Sequence, residues 1–400
     1  MCKRLYLFTG GFPYFKSLEC FLEDEIKYLS KEFSEIIIIP FEKDSNIREV
    51  PENCIITPPI LDTKLKYLIR GIFNRRVFPV IWKEFFKNKV FHSRKRFFVW
   101  LKSFLQSNNY MNSPVIKEIE NNIKENDICY HYWGKWSNVI SIFMEKRCHH
   151  VARFHGFWDL WEEDYDNYAP LRPQLVENLD YEVFISTKGL NYFQDKYPQS
   201  HTIYSPLGST DFGLSPLRKD NSYNIVSCSS VYPLKRVPLI FSSVLALANR
   251  NPRVNYRWTH IGAGESFEEL KSIIQTNANT KNIEIDLKGA KTHEEVLALY
   301  QKEHYDVFVN LSTNEGVPVS IMEAISFDIP VVATNVGGMS DIVCPETGLL
   351  VSPNPTASEV ADNISQVLTE RRNPRKFWSD HFNAEINYTN FAKFLKNLGD

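Results

Sequence analysis

Short apolar runs alternate with amphipathic stretches almost from end to end of the chain. Residues 4–9 read as a strand, and within 19–31 the apolar positions Phe21, Leu22, Ile26 and Leu29 keep helical spacing. Positions 36–39 are four consecutive isoleucines, the pattern of a strand buried on both faces of a parallel sheet. Residues 127–132, 150–154 and 182–186 are again short and β-rich. The stretch 205–223, SPLGSTDFGLSPLRKDNSY, has no periodicity and is rich in Ser, Gly, Pro and Asp, as linkers are. After it, strands are predicted at 224–228, 256–261, 283–287, 306–311 and 330–334, with helical segments between them. A final amphipathic stretch runs over about 383–398.

This rhythm predicts an α/β architecture of two Rossmann-like domains in tandem, facing each other across a cleft. The boundaries read as 1–212 for a first domain, 213–382 for a second, and 383–400 for a helix returning toward the first domain. A length of 400 residues agrees, being too long for one ordinary core. Ligands of such sheets sit outside the carboxyl ends of the strands, so the residues following each strand are the candidates for chemistry.

Composition narrows the classes. Apolar residues at 43% and charged residues at 24% mark a globular chain, and a net charge of -2 excludes a nucleic-acid-binding polycation. Seven scattered cysteines with no C-x-x-C pair fit neither a disulfide framework nor a zinc knuckle, which points to a reducing compartment. The start, MCKRLYLFTGGFPYF, breaks at Gly-Gly-Phe-Pro before a signal-peptide apolar run is complete, and no run of about 18 apolar residues follows anywhere. The expected location is cytoplasmic.

The richest motif follows the predicted strand 306–311: S-T-N-E-G-V-P-V-S-I-M-E-A-I-S-F-D-I-P-V-V-A-T-N-V-G-G. Gly316 permits close backbone approach, and Pro318 suits the first turn of a helix. Amides near Val317–Ser320 would form an anion site at that helix start. Glu315 precedes the helix and Glu323 lies roughly 7.5 Å along its axis, so a phosphate there would have a carboxylate on either side to accept hydrogen bonds from a diol. That is the shape of a nucleotide-sugar site.

These residues resemble the E-x7-E element of glycosyltransferase family 4, retaining enzymes of the GT-B fold. The resemblance implies that Glu315 contacts the donor sugar and Glu323 the nucleotide ribose. Residues 227–237, S-C-S-S-V-Y-P-L-K-R-V, resemble the family's G-R-x-x-x-x-K-G phosphate loop. Lys235 matches the lysine that binds the donor diphosphate; Ser230 stands in the arginine position and Arg236 in that of the second Gly, so Arg236 is expected to supply the missing cation. His260-Ile261-Gly262-Ala263-Gly264 resembles a glycine loop of the nucleotide domain; it is also half of a dinucleotide fingerprint, with Phe267 where the third Gly would fall. Gly289 ends the next strand, where the family packs its base. In the first domain, Gly10 and Gly11 would offer backbone amides to the diphosphate, a plain turn being the alternative. Arg153-Phe154-His155-Gly156 resembles the element whose histidine contacts the donor sugar. Tyr130–Gly134 would line the acceptor side. The histidines at 149, 150 and 155 lack metal-ligand spacing, and the family mechanism implies no metal and no cofactor beyond the donor.

Residues 64–105 hold twelve Lys or Arg against one acid, Glu84, with eleven aromatics interleaved. A basic, aromatic, amphipathic stretch is what lies on an anionic membrane surface, and it suits a lipid-linked acceptor; a helical pair with aromatic core and solvated charges is the plainer alternative. No RNA-binding module surrounds it, so no nucleic-acid partner is expected. The function read from the residues and the resemblance is retaining transfer of a sugar from a UDP- or GDP-type donor to a hydroxyl of a glycan or lipid-linked acceptor, in cell-envelope or capsular polysaccharide synthesis. A non-catalytic GT-B-like subunit and a Rossmann oxidoreductase are the competing readings.

Overall fold

Strands whose side chains are apolar on both sides must be covered on both sides, and that requirement organises each half of the chain into a parallel sheet wrapped by helices. The computed structural model describes residues 3–398 apart from 15–18, 20, 45, 62–72, 145–147, 157–158, 220 and 278–279. It divides into two compact units, Met1–Pro206 with Tyr388–Asp400, and Leu207–Asn387.

The first unit holds β1 (Arg4–Thr9), β2 (Glu35–Pro40), β3 (Cys54–Ile56), β4 (Ile128–His131), β5 (His149–Phe154), β6 (Tyr181–Phe184) and β7 (Thr202–Tyr204), in the order β3-β2-β1-β4-β5-β6-β7. The second holds β8 (Ser222–Cys228), β9 (Asn255–Ile261), β10 (Ile283–Gly289), β11 (Val307–Asn310), β12 (Val331–Thr334) and β13 (Gly348–Val351), in the order β10-β9-β8-β11-β12-β13. Every strand pair in both sheets is parallel. The α/β architecture of two parallel sheets is the one predicted. Three strands escaped prediction: β3 and β7, three residues long and too short to carry a pattern, and β13.

In each sheet the winding reverses once, between β1 and β4 and between β8 and β11. At such a switch point the loops leaving two adjacent carboxyl ends part to opposite faces and leave a crevice between them. The linker beginning at Leu207 has no strand until Ser222.

The helix Ala384–Lys396 reaches the first unit: Phe391, Ala392 and Leu395 join a buried cluster with Leu5, Leu7, Ile26 and Tyr130. Beneath it, the fully buried Arg153 donates from Nη1 to Glu25 at 2.5 Å, Tyr130 Oη donates to the other Glu25 oxygen at 3.0 Å, and the guanidinium lies 4.1 Å from the Phe391 ring.

In the basic aromatic segment, Lys64, Lys66 and Arg70 fall outside the described residues. The rest builds the helices Val77–Lys87 and Arg94–Asn112. Val77, Ile81, Val90 and Trp100 enter the core, whereas Phe86, Phe91 and Phe98 are 64%, 56% and 65% exposed. Glu84 points inward, accepting hydrogen bonds from Tyr168 Oη at 2.8 Å and the Leu171 amide at 2.7 Å, and burial pushes its carboxyl up to about 7. The one acid of the segment is thus withdrawn, and its exposed ionic side chains are all cationic. Among the described residues no helix is long and apolar enough to cross a membrane.

Candidate active site

The second unit's switch point gathers most of the predicted residues. The loop leaving β8 runs through Ser230 to a short 3-10 turn, Pro233–Lys235, and the loop leaving β11 carries Glu315 to the helix Val319–Ser326. Because β8 and β11 are neighbours, residues eighty positions apart meet: the Thr313 amide donates to Leu234 O at 2.9 Å, and Lys235 Nζ forms an ion pair with Glu315. Both side chains are largely but not wholly buried, at 18% and 12% exposure, so the pair borders solvent. Pro318 is the N-cap of the helix rather than its first residue, and Glu323 sits one turn in, on the helix face whose backbone is buried. Val317 is buried and Gly316 half-buried at the loop apex.

The Gly337-Gly338 turn that closes the long motif has a physical reason for its glycines. Gly337 adopts φ +52°, and a Cβ there would stand 1.7 Å from Glu315 O. The Gly338 amide donates to Gly316 O at 3.0 Å. The backbone that presents Glu315 is therefore held from behind by this turn.

Glu323 has a partner that the sequence reading did not single out. His293, at the start of the helix His293–Lys302, has its Nε2 2.7 Å from Glu323 Oε1. Cys228, which ends β8, lies in the same neighbourhood, its thiol pushed up to about 12 by burial and by the Glu323 charge. A histidine thirty residues from its carboxylate carries no local signal; only the sheet order brings them together.

Arg236, expected to supply a cation, makes hydrogen bonds within its own unit. Its Nε donates to Leu311 O, and Nη2 donates to Ser312 O at 3.0 Å and Pro353 O at 2.9 Å. These contacts brace the β11 loop, while Nη1 meets Asn354 Oδ1 only at 3.5 Å and Ser230 is exposed. The Arg236 backbone, at φ +49°, keeps the left-handed conformation for which a Gly is suited. Lys235 is therefore the cation that the site turns toward Glu315.

Gly262 and Gly264 serve close packing. A Cβ on Gly262 would stand 1.9 Å from Ser229 O and one on Gly264 2.5 Å from Val231 O, so the loops after β8 and β9 touch backbone to backbone. The Val231 amide donates to Ala263 O at 3.1 Å across that contact. Gly289, at φ +67°, accepts from the Gly262 amide at 2.9 Å. These contacts account for the G-x-G as a tight strand–helix turn.

In the first unit the β1 loop differs from expectation. The amides of Gly10, Gly11 and Phe12 converge on the Glu19 carboxylate at 2.7, 2.8 and 2.7 Å, and Trp133 Nε1 donates to it at 2.5 Å. Three backbone donors and an indole around two oxygens form an anion nest, and the chain fills it with its own carboxylate. Gly10 and Gly11 do not hold free amides out to a diphosphate.

His155 is buried, with Nε2 2.8 Å from Tyr132 O. A carbonyl only accepts, so Nε2 carries the proton and Nδ1 is left as an acceptor. Burial and the nearby Arg153 hold the ring neutral, its pKa lowered to about 3. His155 is thus equipped to orient a hydroxyl but not to act as an acid. His150, read as lacking metal-ligand spacing, lies with Cys129 and Cys148, their ligand atoms within 4.8 Å of one another. Hydrogen bonds run from Cys129 through Cys148 and His150 to His131 and Ser137, binding β4 to β5 inside the core.

Residues 215–380 match the family model of Glycosyl transferases group 1. Among curated proteins, the chain is 22% identical over 302 residues to the UDP-N-acetylglucosamine–peptide N-acetylglucosaminyltransferase GtfA subunit of Streptococcus pneumoniae serotype 4, covering 72% of this chain and 54% of that protein. It is 26% identical over 264 residues to WcaL of Escherichia coli K12, named for colanic acid biosynthesis, covering 61% and 63% of the two chains. The chain thus spans between about half and two thirds of the length of these curated relatives. Among solved structures, HepE of Anabaena in complex with UDP and glucose superimposes with a TM-score of 0.64 at 16% identity, covering 99% of this chain and 100% of that one. That likeness, with the two sheet orders, shows the fold.

Proposed function

We propose that this chain, whose residues 215–380 match the group 1 glycosyltransferases and whose fold is GT-B, moves a sugar with retention from a UDP-linked donor to a hydroxyl of a glycan or lipid-linked acceptor. The observation that carries the reading is the Lys235–Glu315 pair at the β8/β11 switch point, with Glu323 one helical turn beyond. In this reading Lys235 leaves Glu315 for the donor diphosphate and stabilises the charge that builds on it as the glycosidic bond breaks. Glu315 then accepts from the sugar hydroxyls, and Glu323, oriented by His293, accepts from the ribose diol. The leaving phosphate oxygen takes the acceptor's proton on the same face, so no side-chain nucleophile and no metal is needed. UDP is preferred to GDP because the GtfA relative is named for a UDP-sugar and the HepE structure is a complex with UDP.

A thermal-shift panel of UDP, GDP, ADP, CMP and NAD tests this. A ligand at 100 times its Kd stabilises the fold by about 2.7 kcal/mol, so UDP is expected to raise Tm by several degrees and to lose that effect in Glu323→Ala. A shift with NAD alone, or none with any nucleotide, would overturn the donor site. One observation favours a second reading, a non-catalytic subunit: the exposed Ser230 stands where the family loop has a cation. Transfer that is absent in the wild type and in Glu315→Ala alike would select it.

The acceptor is proposed to be an intermediate of cell-envelope or capsular polysaccharide synthesis, handled in the cytoplasm against the inner membrane face. The exposed Phe86, Phe91 and Phe98 stand among exposed Lys83, Lys87, Lys89, Arg94 and Lys95 and support docking on anionic lipid. Co-sedimentation with phosphatidylglycerol vesicles is expected to fall with salt and in Phe86→Ser/Phe98→Ser. Equal recovery with phosphatidylcholine vesicles would remove this part of the proposal.

A further inference from the structure

The first unit contains a cavity whose lining includes Gly134, the end of the segment expected to line the acceptor side. It has a volume of about 130 Å³, well above the space that one water needs, and opens between the helix Arg94–Asn112 and the loops that follow β4 and β5. Its lining includes Asn138, Arg172, Trp136, Trp161, Lys102 and Lys135.

Two of these side chains are buried with polar atoms that have no partner among the described residues. Asn138 is 0% exposed, and among the described residues neither its Oδ1 nor its Nδ2 has a partner. Arg172 is 5% exposed; its Nη2 donates to Asp159 O at 2.8 Å, while Nη1 has no partner among the described residues. An amide and a guanidinium nitrogen removed from water and left unmet are costly, so a fold retains them where something that enters the cavity satisfies them. The one acid on the lining, Asp159, is already spent: Oδ1 accepts from the Gly156 amide at 3.0 Å, and Oδ2 from the amides of His155 at 3.0 Å and Gly134 at 3.3 Å. It offers an entering ligand little beyond its charge. Trp136 holds a backbone conformation of φ +73° and ψ −87°, far from the ordinary regions for a large side chain, and such strain persists where surrounding contacts impose it.

The chemistry of the lining selects an occupant. Asn138 offers two N–H donors and an acceptor oxygen, Arg172 a further donor, and Trp136 and Trp161 flat apolar surfaces: hydroxyls and a C–H face answer all of these together. Lys102 Nζ lies 5.8 Å from the Trp136 ring centre and Lys135 Nζ 4.2 Å from that of Tyr165, placing two cations at the same cavity. We infer that this cavity binds one sugar ring of the acceptor, carrying an acidic substituent, a carboxylate or a phosphate, toward Lys102 and Lys135. The inference deepens the transferase reading and rests on it for the word acceptor; the cavity's affinity for an acidic sugar stands without it.

Saturation-transfer NMR titration of the full chain with methyl glucoside, methyl glucuronide and glucose 6-phosphate tests it. The acidic sugars are expected to bind at least fivefold more tightly than methyl glucoside, and the better of the two names the substituent. Asn138→Leu is expected to weaken all three at least tenfold, and Lys102→Glu to abolish the acidic preference while leaving methyl glucoside unchanged. The UDP-induced thermal shift, which reports the second unit, and the circular dichroism spectrum are expected to match wild type in both variants. Should Asn138→Leu fail to fold, Lys102→Glu, altered at an exposed position, decides alone. Equal binding of the neutral and acidic sugars, or binding indifferent to both substitutions, overturns the inference. Acidic-sugar binding with no transfer to any acceptor would sustain the cavity and defeat the transferase reading; transfer with no sugar bound in this cavity would defeat the cavity alone.

Discussion

Lys235→Met is expected to lower kcat by about 10²- to 10³-fold, the usual cost of removing one donor aimed at charge that develops in a transition state. The reasoning begins with what remains in the site. Ser230 brings no charge, and the Arg236 guanidinium is held by the carbonyls of Leu311, Ser312 and Pro353. Lys235 is thus the side chain of this loop expected to meet the diphosphate as it departs. Methionine keeps most of the unbranched stem, so the helix Val237–Arg250 and the Pro233–Lys235 turn retain their packing. The deficit should therefore appear in kcat more than in the KM for the donor, because the interaction strengthens as charge builds. Arg236→Met gives the contrast: it frees the β11 loop, so its expected mark is a lower Tm with KM and kcat both changed. A Lys235→Met enzyme within threefold of wild-type kcat would show that the diphosphate is neutralised elsewhere.

That contrast also marks how far the sequence could be read. The isoleucine run at 36–39, the strand starts after the linker and the spacing of Glu315 and Glu323 are local patterns, and burial on both sheet faces or one turn of helix reproduces them directly. That the loops after β8 and β11 share a site comes only from the family resemblance, which assigns Lys235 and Glu315 to one donor. What sequence could not give is the direction of a side chain after its backbone is fixed. Arg236 reads as a phosphate ligand and is found bracing the β11 loop; Gly10 and Gly11 read as diphosphate donors and turn out to enclose Glu19. The Glu19 carboxylate is a few residues downstream, but nothing in G-G-F-P says that an acid will return to it. His293 and Asn138 are similarly silent, one reaching Glu323 across thirty positions and the other buried without a partner for its amide among the described residues. Such residues are chosen by tertiary geometry, and their identity alone has no periodic or positional signature.

Arg153→Met is expected to destabilise the first unit by about 3–5 kcal/mol at neutral pH, the loss seen when one member of a buried ion pair is removed and the other is stranded. Arg153 and Glu25 are both 0% exposed, and their contact at 2.5 Å is reinforced by Tyr130 Oη at 3.0 Å on the same carboxylate. Burial raises the Glu25 pKa, and the Arg153 charge is the largest influence drawing it back down. Without that charge the carboxyl must keep its proton or remain ionised in an apolar site. The folded-state pKa of Glu25 then rises further above its unfolded value, so the folded form holds the extra proton over that interval. Stability of the variant should fall as pH climbs from the ordinary glutamate range near 4.5 toward the raised pKa, and level off beyond it. The variant should therefore recover part of its lost Tm between pH 7.5 and pH 5, relative to wild type at each pH. Glu25→Gln added to Arg153→Met should remove that extra pH slope, since no ionisable group remains in the pair. Because the guanidinium also lies 4.1 Å from Phe391, amide exchange in the helix Ala384–Lys396 should quicken in the single variant. A single variant that melts within about 2 °C of wild type at pH 7.5, a shift that corresponds to less than about 1 kcal/mol for a unit of this size, would mean that the pair contributes little to holding this unit together.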